Sequence, residues 1–206
     1  MHQEALNNKD SRDIFSRLGH FKNFYLAGGT ELALQIGHRI SVDFDLFSDK
    51  PISNKLLPKV EEVFSGRKIV PSVNNPDELT VFADAIKITF LFYPFPILER
   101  GLQYTGVNIL GIKEIAATKA YTIGRRGSFK DYVDLYFIIA DNYASLDEIM
   151  KLADKKYGSE FNSRLFLEQL IYLEDIEDTE IIALKKPIGK DDVESFFVGE
   201  VKKITL

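Results

Sequence analysis

The first half of the chain alternates short apolar runs with a glycine turn. Residues 24–27 form an apolar run that predicts a buried strand, and the two glycines and Thr30 that follow predict a tight turn. Residues 31–37 carry apolar side chains at helical spacing, so we expect a short helix with Thr30 as its N-cap. Residues 42–47 alternate strictly, which predicts a strand with Val42, Phe44 and Leu46 on one face.

The remaining apolar patterns predict more strands and then a helical half. Residues 85–93 alternate in the way that is typical of a central strand. The other predicted elements are helices over 4–18 and 55–64, strands over 67–73 and 79–82, and helices over 112–123, 129–140, 146–157 and 163–173. This order predicts an α+β fold with a mixed, mostly antiparallel sheet, divided into a core over 1–140 and a helical C-terminal extension over 141–206.

The composition narrows the class of protein. Hydrophobic residues make up 45% and charged residues 28% of 206 positions, which is typical of a folded domain. The chain has no cysteine and three scattered histidines, which excludes disulfides and thiolate metal sites and argues against zinc. Its polar beginning and the lack of an apolar run of about 18 residues lead us to expect a cytoplasmic protein without a membrane partner. The net charge of -5 argues against a protein that coats nucleic acid, and we expect no DNA partner.

Asp43 and Asp45 form the first candidate site. The strand predicted over 42–47 places both carboxylates on one face, where the two like charges repel each other. A divalent cation removes that repulsion, and magnesium takes one or two carboxylates together with phosphate oxygens and water. The alternative is an edge strand whose aspartates are solvated or paired with Arg39.

Gly28, Gly29 and Thr30 form a candidate phosphate cradle before this strand. Backbone amides at a helix N-terminus favour phosphate, and glycines leave them unobstructed. Each motif alone is common. Their succession is not common, because it combines a phosphate cradle with a metal platform: a strand, a glycine turn, a short helix and an Asp-x-Asp strand. Nucleotidyl transfer needs that combination for in-line attack at an alpha-phosphate.

Lys119 is a candidate site residue in the helical half. It falls on the apolar stripe of the helix predicted over 112–123, and a lysine on a buried face needs a partner. Asp131 and Asp134 share a face of the next helix, so an ion pair between Lys119 and Asp134 is geometrically reasonable. Two interpretations stay open, a purely structural salt bridge and a lysine that takes part in catalysis or binds a triphosphate.

A basic island surrounds the turn between those two helices. Arg125 and Arg126 lie in the turn and Lys130 lies just after it, with few acidic residues nearby. We expect these side chains to contact phosphates. The alternative is a solvated basic loop.

Both blocks of motifs resemble those of a known family. The run from Gly28 to Thr30, followed by the Asp43-Phe44-Asp45-Leu46-Phe47 strand, resembles motif I of the DNA polymerase beta-like nucleotidyltransferase superfamily. Together with residues 112–120, 125–126 and 130–135, it resembles more narrowly the AbiEii/AbiGii toxin family of type IV toxin-antitoxin systems. The resemblance covers roughly residues 21–139.

This resemblance implies a set of site residues. The glycine turn, namely Gly29 and Thr30, would contact nucleotide phosphates, and the Asp-x-Asp pair would hold the metal. Lys119 with Asp131 or Asp134 would complete the site. The wider superfamily usually adds a third carboxylate on the neighbouring strand, where this chain offers Lys87 and Thr89. Asp131 or Asp134 would then fill in, or two carboxylates would suffice, or the protein would be a weak catalyst.

The function implied is transfer of a nucleoside monophosphate. The cofactor would be Mg²⁺ or Mn²⁺, the substrate a nucleoside triphosphate, and the acceptor an RNA or a protein, with transfer RNA suggested by kinship alone. An antitoxin protein would be the partner. The alternatives are a non-catalytic nucleotide-binding or regulatory relative and a metal-dependent phosphohydrolase, which also uses clustered aspartates.

Overall fold

The computed structural model describes residues 1–99, 101–177 and 179–204, and these form two compact units. The first unit contains Met1–Pro96 and the hairpin that ends at Leu110, and it holds every described strand. The second contains the helices from Gly111 onward together with Ile97–Glu99. The division at residue 140 concerns the extent of the catalytic core, and it stays a prediction.

The first unit is built on one mixed sheet, which has seven strands among the described residues. These are β1 (Tyr25–Ala27), β2 (Phe44–Ser48), β3 (Ile69–Asn74), β4 (Glu78–Ala83), β5 (Ile86–Phe92), β6 (Leu102–Tyr104) and β7 (Val107–Ile109). Their order across the sheet is β3-β4-β5-β2-β1-β7-β6. Four of the six neighbouring pairs are antiparallel, whereas β2 with β5 and β1 with β7 are parallel. The predicted α+β class is confirmed, and the β6–β7 hairpin is an element that the sequence did not predict.

Strands β2 and β5 form the centre of the sheet. Phe44 and Leu46 of β2 lie opposite Ile88 and Phe90 of β5, and all four side chains are buried. Their burial follows from the alternating pattern, since alternate residues of a strand share one face. Because β2 lies between β1 and β5, the edge-strand alternative for the Asp-x-Asp segment is excluded.

The segment before β2 differs from the prediction. The strand begins at Phe44 instead of Val42, so Asp43 lies in the segment that leads into it. On the β1 side the pairing ends with Ala27 opposite Asp45, after which the chain turns into a helix and leaves residues 42–43 no partner strand. Val42 is 40% exposed whereas Phe44 and Leu46 are buried, so the prediction that it shares their strand face is wrong.

Three α-helices belong to the first unit as described. They are α1 (Lys9–Leu18), α2 (Gly28–Ile36) and α3 (Leu56–Val63). The N-cap of α2 is Ala27 in extended conformation, so the predicted N-cap role of Thr30 is wrong and Thr30 lies in the first turn. The reason is Gly28, whose φ of 81° lets the chain pass directly from β1 into the helix.

Arg67, a largely buried arginine just before β3, connects α1 to the turn between β4 and β5. Arg67 forms ion pairs with Asp10, Asp13 and Asp84 at N–O distances of 3.0, 2.9 and 3.0 Å. Hydrogen bonds from Arg67, opposed in part by desolvation, hold the pKa of Asp13 below its usual value. The same bonds raise the pKa of Arg67, so Asp13 and Arg67 form a charged pair at neutral pH.

The second unit consists of helices in its described part. They are α4 (Ile112–Ile123), α5 (Phe129–Ala140), α6 (Leu146–Tyr157), α7 (Ser163–Leu170) and α8 (Lys190–Val201). The first three have the predicted bounds, α7 ends earlier than predicted, and α8 lies in the tail that the pattern left unassigned. Among the residues that the structure describes, none of these or the other helices combines the length and apolar composition needed to span a bilayer.

A buried ion pair organises the second unit. The Nζ atom of Lys156 on α6 lies 2.6 Å from Oε2 of Glu114 on α4, and both side chains are almost fully buried. The other oxygen of Glu114 accepts hydrogen bonds from the backbone N–H groups of Leu98 and Glu99. These bonds explain why Ile97–Glu99 belong to this unit.

Candidate functional site

A glycine turn links the central strand β1 to α2. Gly28 and Gly29 are the first residues of the helix, where the N–H groups have no partner within the helix. Both glycines are partly accessible, and neither carries a side chain that would cover these groups. The turn can therefore present backbone donors and the positive end of the helix dipole to an anion.

The Asp45 carboxylate lies beside this turn. In the sheet Asp45 is opposite Ala27 on β1 and opposite Thr89 on β5. A Cβ atom added at Gly28 would stand 3.1 Å from Oδ2 of Asp45, so the carboxylate lies against the bare Cα of that glycine. The half-buried carboxylate and the helix N-terminus thus share one small region of the first unit.

Thr30 is turned toward the segment that carries Asp43. Its side chain is 2% exposed, and its hydroxyl donates to the backbone carbonyl of Asp43 and lies 2.7 Å from the Ser41 hydroxyl. The hydroxyl is therefore engaged with the chain itself. Thr30 fixes the position of the residues that lead into β2.

Asp43 and Asp45 give a set of ligands that suits magnesium. Asp43 is exposed and Asp45 is half-buried. Within the described residues, no group of three or more histidine, cysteine or acidic side chains has a geometry that could hold a metal. Two carboxylates, with phosphate oxygens and water as the other ligands, match the preference of Mg²⁺.

Threonines occupy the strands next to Asp45. Thr89 stands directly opposite Asp45 on β5, and its hydroxyl lies 3.3 Å from that of Thr80 on β4. Thr80 in turn donates a hydrogen bond of 2.5 Å to Glu78. The neighbouring strand therefore offers a hydroxyl, and no carboxylate, opposite Asp45. The alternation over 85–93 revealed Thr89, whereas nothing in the sequence linked it to Thr80 and Glu78.

Glu31 makes a buried structural contact of α2 that sequence reasoning missed. Its side chain is fully buried, and it accepts a hydrogen bond from the N–H group of Leu110 after β7. The bond joins the first turn of α2 to the strand on the far side of β1. The only signal in the sequence was an acidic residue in the first turn of a helix, which usually indicates a dipole interaction.

Lys119 lies between two carboxylates in the second unit. Its Nζ atom is 2.6 Å from Oδ1 of Asp131 and 2.8 Å from Oδ2 of Asp134. All three side chains are buried or nearly so, and Asp134 is fully buried. The predicted ion pair between Lys119 and Asp134 is confirmed. Both aspartates are thereby engaged with a cation of their own unit.

The basic turn between α4 and α5 has mixed surroundings. The guanidinium of Arg125 stacks on Tyr121 at 3.7 Å from the ring centroid, and it lies 3.6 Å from a carboxylate oxygen of Glu160. Arg126 and Lys130 are exposed. All three residues are exposed, but Arg125 is also engaged by Tyr121 and Glu160 of its own unit.

Arg125 also borders a cavity of about 400 Å³ in the second unit. Tyr132 and Gln169 line it, together with the acidic residues Glu168 and Asp175. The hydroxyl of Tyr132 donates to the carbonyl of Gln169 at 3.1 Å, and burial beside Asp131 raises the pKa of Tyr132 to about 12. The acidic lining does not suit a phosphate, so this cavity adds nothing to the candidate phosphate site.

Comparisons with known proteins agree on one kind of protein. Residues 12–199 match the model of a family described as nucleotidyl transferase AbiEii toxin, type IV TA system. The uncharacterized protein aq_aa25 of Aquifex aeolicus is 34% identical over 203 residues, which are 95% of this chain and 96% of that protein.

Two solved structures share the fold. MenT4, the nucleotidyltransferase toxin Rv2826c from Mycobacterium tuberculosis H37Rv, superposes with a TM-score of 0.61 at 15% identity, covering 98% of this chain and 88% of that one. JHP933 from Helicobacter pylori gives a TM-score of 0.52 at 18% identity, with 81% and 89% covered. At these identities the likeness concerns the fold.

Proposed function

Because the chain belongs to the AbiEii family of nucleotidyltransferase toxins of type IV toxin-antitoxin systems, we propose that it transfers a nucleoside monophosphate from a nucleoside triphosphate to an RNA acceptor in the cytoplasm. Asp43 and Asp45 hold Mg²⁺ or Mn²⁺ in this proposal. The observation that carries it is the Asp45 carboxylate on a central strand, against Gly28 at the start of α2. A metal ligand and a phosphate cradle are adjacent there.

Different residues of the first unit bind the phosphates and hold the cation in this proposal. The N–H groups of Gly28 and Gly29 donate to the phosphates, and the absence of side chains allows a close approach. The two carboxylates hold the cation, which when bound neutralises phosphate charge and favours in-line displacement at the alpha-phosphorus. Asp45 is held by the sheet on both sides, so its carboxylate is fixed before nucleotide arrives.

Thr30 is a positioning residue in this proposal. Its bond to the Asp43 carbonyl fixes the segment that precedes β2, and that segment has no partner strand on the β1 side. The threonine therefore supplies a constraint that the sheet does not supply. We assign the phosphate contact at this turn to the backbone and not to the Thr30 hydroxyl.

The second unit contributes cations in our proposal. Lys119 is its buried candidate for a phosphate-binding cation, and Asp131 and Asp134 orient the ammonium group. Arg126 and Lys130 contact acceptor or nucleotide phosphates, because they are exposed. Arg125 has a weaker claim to such a contact, since Glu160 and Tyr121 already engage it. An antitoxin protein is the expected partner, as the family description suggests.

A non-catalytic, nucleotide-binding relative is the second candidate function. Thr89 favours it, because a neutral hydroxyl stands opposite Asp45 where the superfamily usually has a carboxylate. The two candidates predict the same fold and the same nucleotide site. They differ in whether label moves from the nucleotide to an acceptor.

The test compares Asp45→Asn with the wild type. Each labelled nucleoside triphosphate is incubated with total RNA, with and without Mg²⁺, and Asp49→Asn is the control because it removes one exposed carboxylate just after β2. We expect metal-dependent labelling by the wild type and the control, and none by Asp45→Asn with an unchanged thermal melt. Equal labelling by all three proteins rules out Asp45 as an essential ligand. A nucleotide-dependent melting shift without any labelling selects the non-catalytic candidate.

A further inference from the structure

A cavity of about 210 Å³ lies in the first unit at the other end of β1 from the glycine turn. Its walls come from the loop before β1 and from the beginning of α3. The lining residues are Phe21, Lys22, Asn23, Phe24, Ser53, Lys55, Leu56 and Lys59. Three are lysines and none of these eight is acidic, in a chain whose net charge is -5.

The walls of this cavity are fixed by contacts within the unit. The side-chain amide of Asn108 on β7 donates to the carbonyls of Lys22 and Phe24, at 3.2 and 3.3 Å. The ammonium group of Lys59 donates to the carbonyl of His20 at 2.8 Å, which holds α3 against the same loop. These bonds connect the loop before β1 to β7 and to α3.

Aromatic packing supports the floor of the cavity. Phe21 is buried and packs edge-on against Phe90 of β5, with ring centroids 4.8 Å apart. Phe24 packs edge-on against the same ring at 5.1 Å but remains partly accessible. An accessible aromatic ring beside exposed ammonium groups can receive a sugar or base while the lysines receive a phosphate.

The size and charge of the cavity select a kind of ligand. Its volume is below the roughly 300–1,000 Å³ that encloses a whole small molecule, so it has room for about one unit of a polymer. Lys22 and Lys55 are exposed and supply point charges, while Asn23 and Ser53 add neutral donors. Phosphate of a nucleic-acid strand suits this set, because it needs cations and donors and brings an adjoining ring.

The distance to the candidate active site fits a bound strand. The cavity precedes β1 at Tyr25 and the glycine turn follows β1 at Ala27, so the two sites are separated by a strand of three residues, about 10 Å. That distance is short enough for one RNA strand to reach both sites.

We propose that this cavity is a docking site for single-stranded RNA, in which Lys22, Lys55 and Lys59 bind a backbone phosphate a few nucleotides from the acceptor end. The inference rests on the proposed function, since it takes the acceptor to be RNA. It adds a binding site for that acceptor outside the metal-binding and phosphate-cradle residues. Lys22 and Lys55 carry the test, because Lys59 also has a structural hydrogen bond.

The experiment measures binding of a short fluorescein-labelled single-stranded oligoribonucleotide to the full chain by anisotropy, without nucleoside triphosphate. The double variant Lys22→Gln/Lys55→Gln is compared with the control Lys9→Gln/Lys68→Gln, which removes two exposed lysines elsewhere in the first unit. We expect the control to bind like the wild type and the cavity variant to bind several-fold more weakly. The slope of log affinity against log salt should fall by up to about 0.7, because the three lysines share one backbone phosphate.

Competition identifies what the cavity recognises. Unlabelled oligoribonucleotide should displace the probe at a lower charge concentration than polyglutamate, because only the nucleic acid offers a ring to Phe24. Equal affinity of the two double variants overturns the docking site, as does displacement by polyglutamate that matches displacement by RNA. The assay uses no triphosphate, so its outcome is independent of transfer. Loss of labelling in Asp45→Asn together with unchanged RNA binding by the cavity variant would refute only the docking site.

Discussion

Replacing Gly28 by alanine should damage the candidate active site more than it damages the fold. The substitution has two separable effects, since Gly28 has a φ of 81° and its Cα stands against the Asp45 carboxylate. The first effect is backbone strain, about 1–2 kcal/mol for a residue with a side chain in the left-handed region. The second is crowding, because the new Cβ would lie 3.1 Å from Oδ2 and force the carboxylate to move by a few tenths of an ångström.

The crowding sets the expected loss of activity. A displacement of about 1 Å in a reacting geometry can cost about a hundredfold in rate. If the loss scales logarithmically with displacement, a shift of about 0.3 Å costs roughly fourfold. The fourfold figure is a lower bound, because the new methyl group also stands where phosphate approaches the helix N-terminus. The strain alone should lower the melting temperature by about 2–8 °C in a chain of this size.

Gly66 provides the matched control for this prediction. Its φ is 93°, and a Cβ added there would meet nothing within 4 Å. Gly66→Ala therefore carries similar backbone strain without any effect on Asp45. We expect comparable melting temperatures for the two variants and reduced metal-dependent labelling in Gly28→Ala alone. Labelling by Gly28→Ala that equals labelling by Gly66→Ala would refute the placement of Asp45 against the glycine turn.

Three further predictions concern other parts of the molecule. Thr30→Val keeps the shape of the side chain but leaves the Asp43 carbonyl without its donor. We therefore expect the free energy of unfolding to fall by about 1–3 kcal/mol and labelling to weaken. Unchanged melting and labelling would contradict the positioning role of Thr30. Lys119→Met leaves Asp131 and Asp134 without their cation and should lower the free energy of unfolding by about 3–5 kcal/mol. Asp131→Asn keeps the Lys119–Asp134 pair and should lower it less. Equal thermal melts of the two variants would contradict this prediction. The pKa of Asp13 is lower in the folded state, so its charged carboxylate stabilises the fold at neutral pH, and this contribution should be lost as pH falls below about 4, the usual carboxyl value. The stability of Asp13→Asn should therefore depend less on pH in that range than the stability of the wild type. Parallel pH–stability curves of the two proteins from urea unfolding would refute this prediction.

The sequence predicted helices better than the boundaries around the site. The helices α4, α5 and α6 have the predicted bounds, since each combines an apolar stripe with a clear beginning, such as the Ser145 capping box of α6. The helix α2 begins before its predicted N-cap, because the conformation of Gly28 is a property of the chain path and not of any side chain. The hairpin β6–β7 was missed because strands of three residues leave no readable alternation.

The candidate site could be predicted in its residues but not in its contacts. Asp43 and Asp45 follow the glycine turn by one short helix, so the sequence could group these residues as a candidate site. The contact of Asp45 with Gly28 depends on the register of β1 with β2, which no short-range pattern records. The same holds for Glu31, whose partner Leu110 lies far along the chain. The pair of Lys119 with Asp134 was predictable, because adjacent helices with opposite charges on buried faces have few other solutions.

The hydrogen bonds of Glu114 have a consequence for dividing this protein into fragments. Ile97–Glu99 belong to the second unit although the chain afterwards returns to the first to form β6 and β7, so neither unit is one continuous stretch of sequence. A fragment that starts at Gly111 would lack the Leu98 and Glu99 donors and leave an oxygen of a buried carboxylate unsatisfied. A chimera that takes its helical unit from a relative would therefore also need that relative's residues at positions 97–99. These residues lie upstream of the β6–β7 hairpin and would be replaced separately.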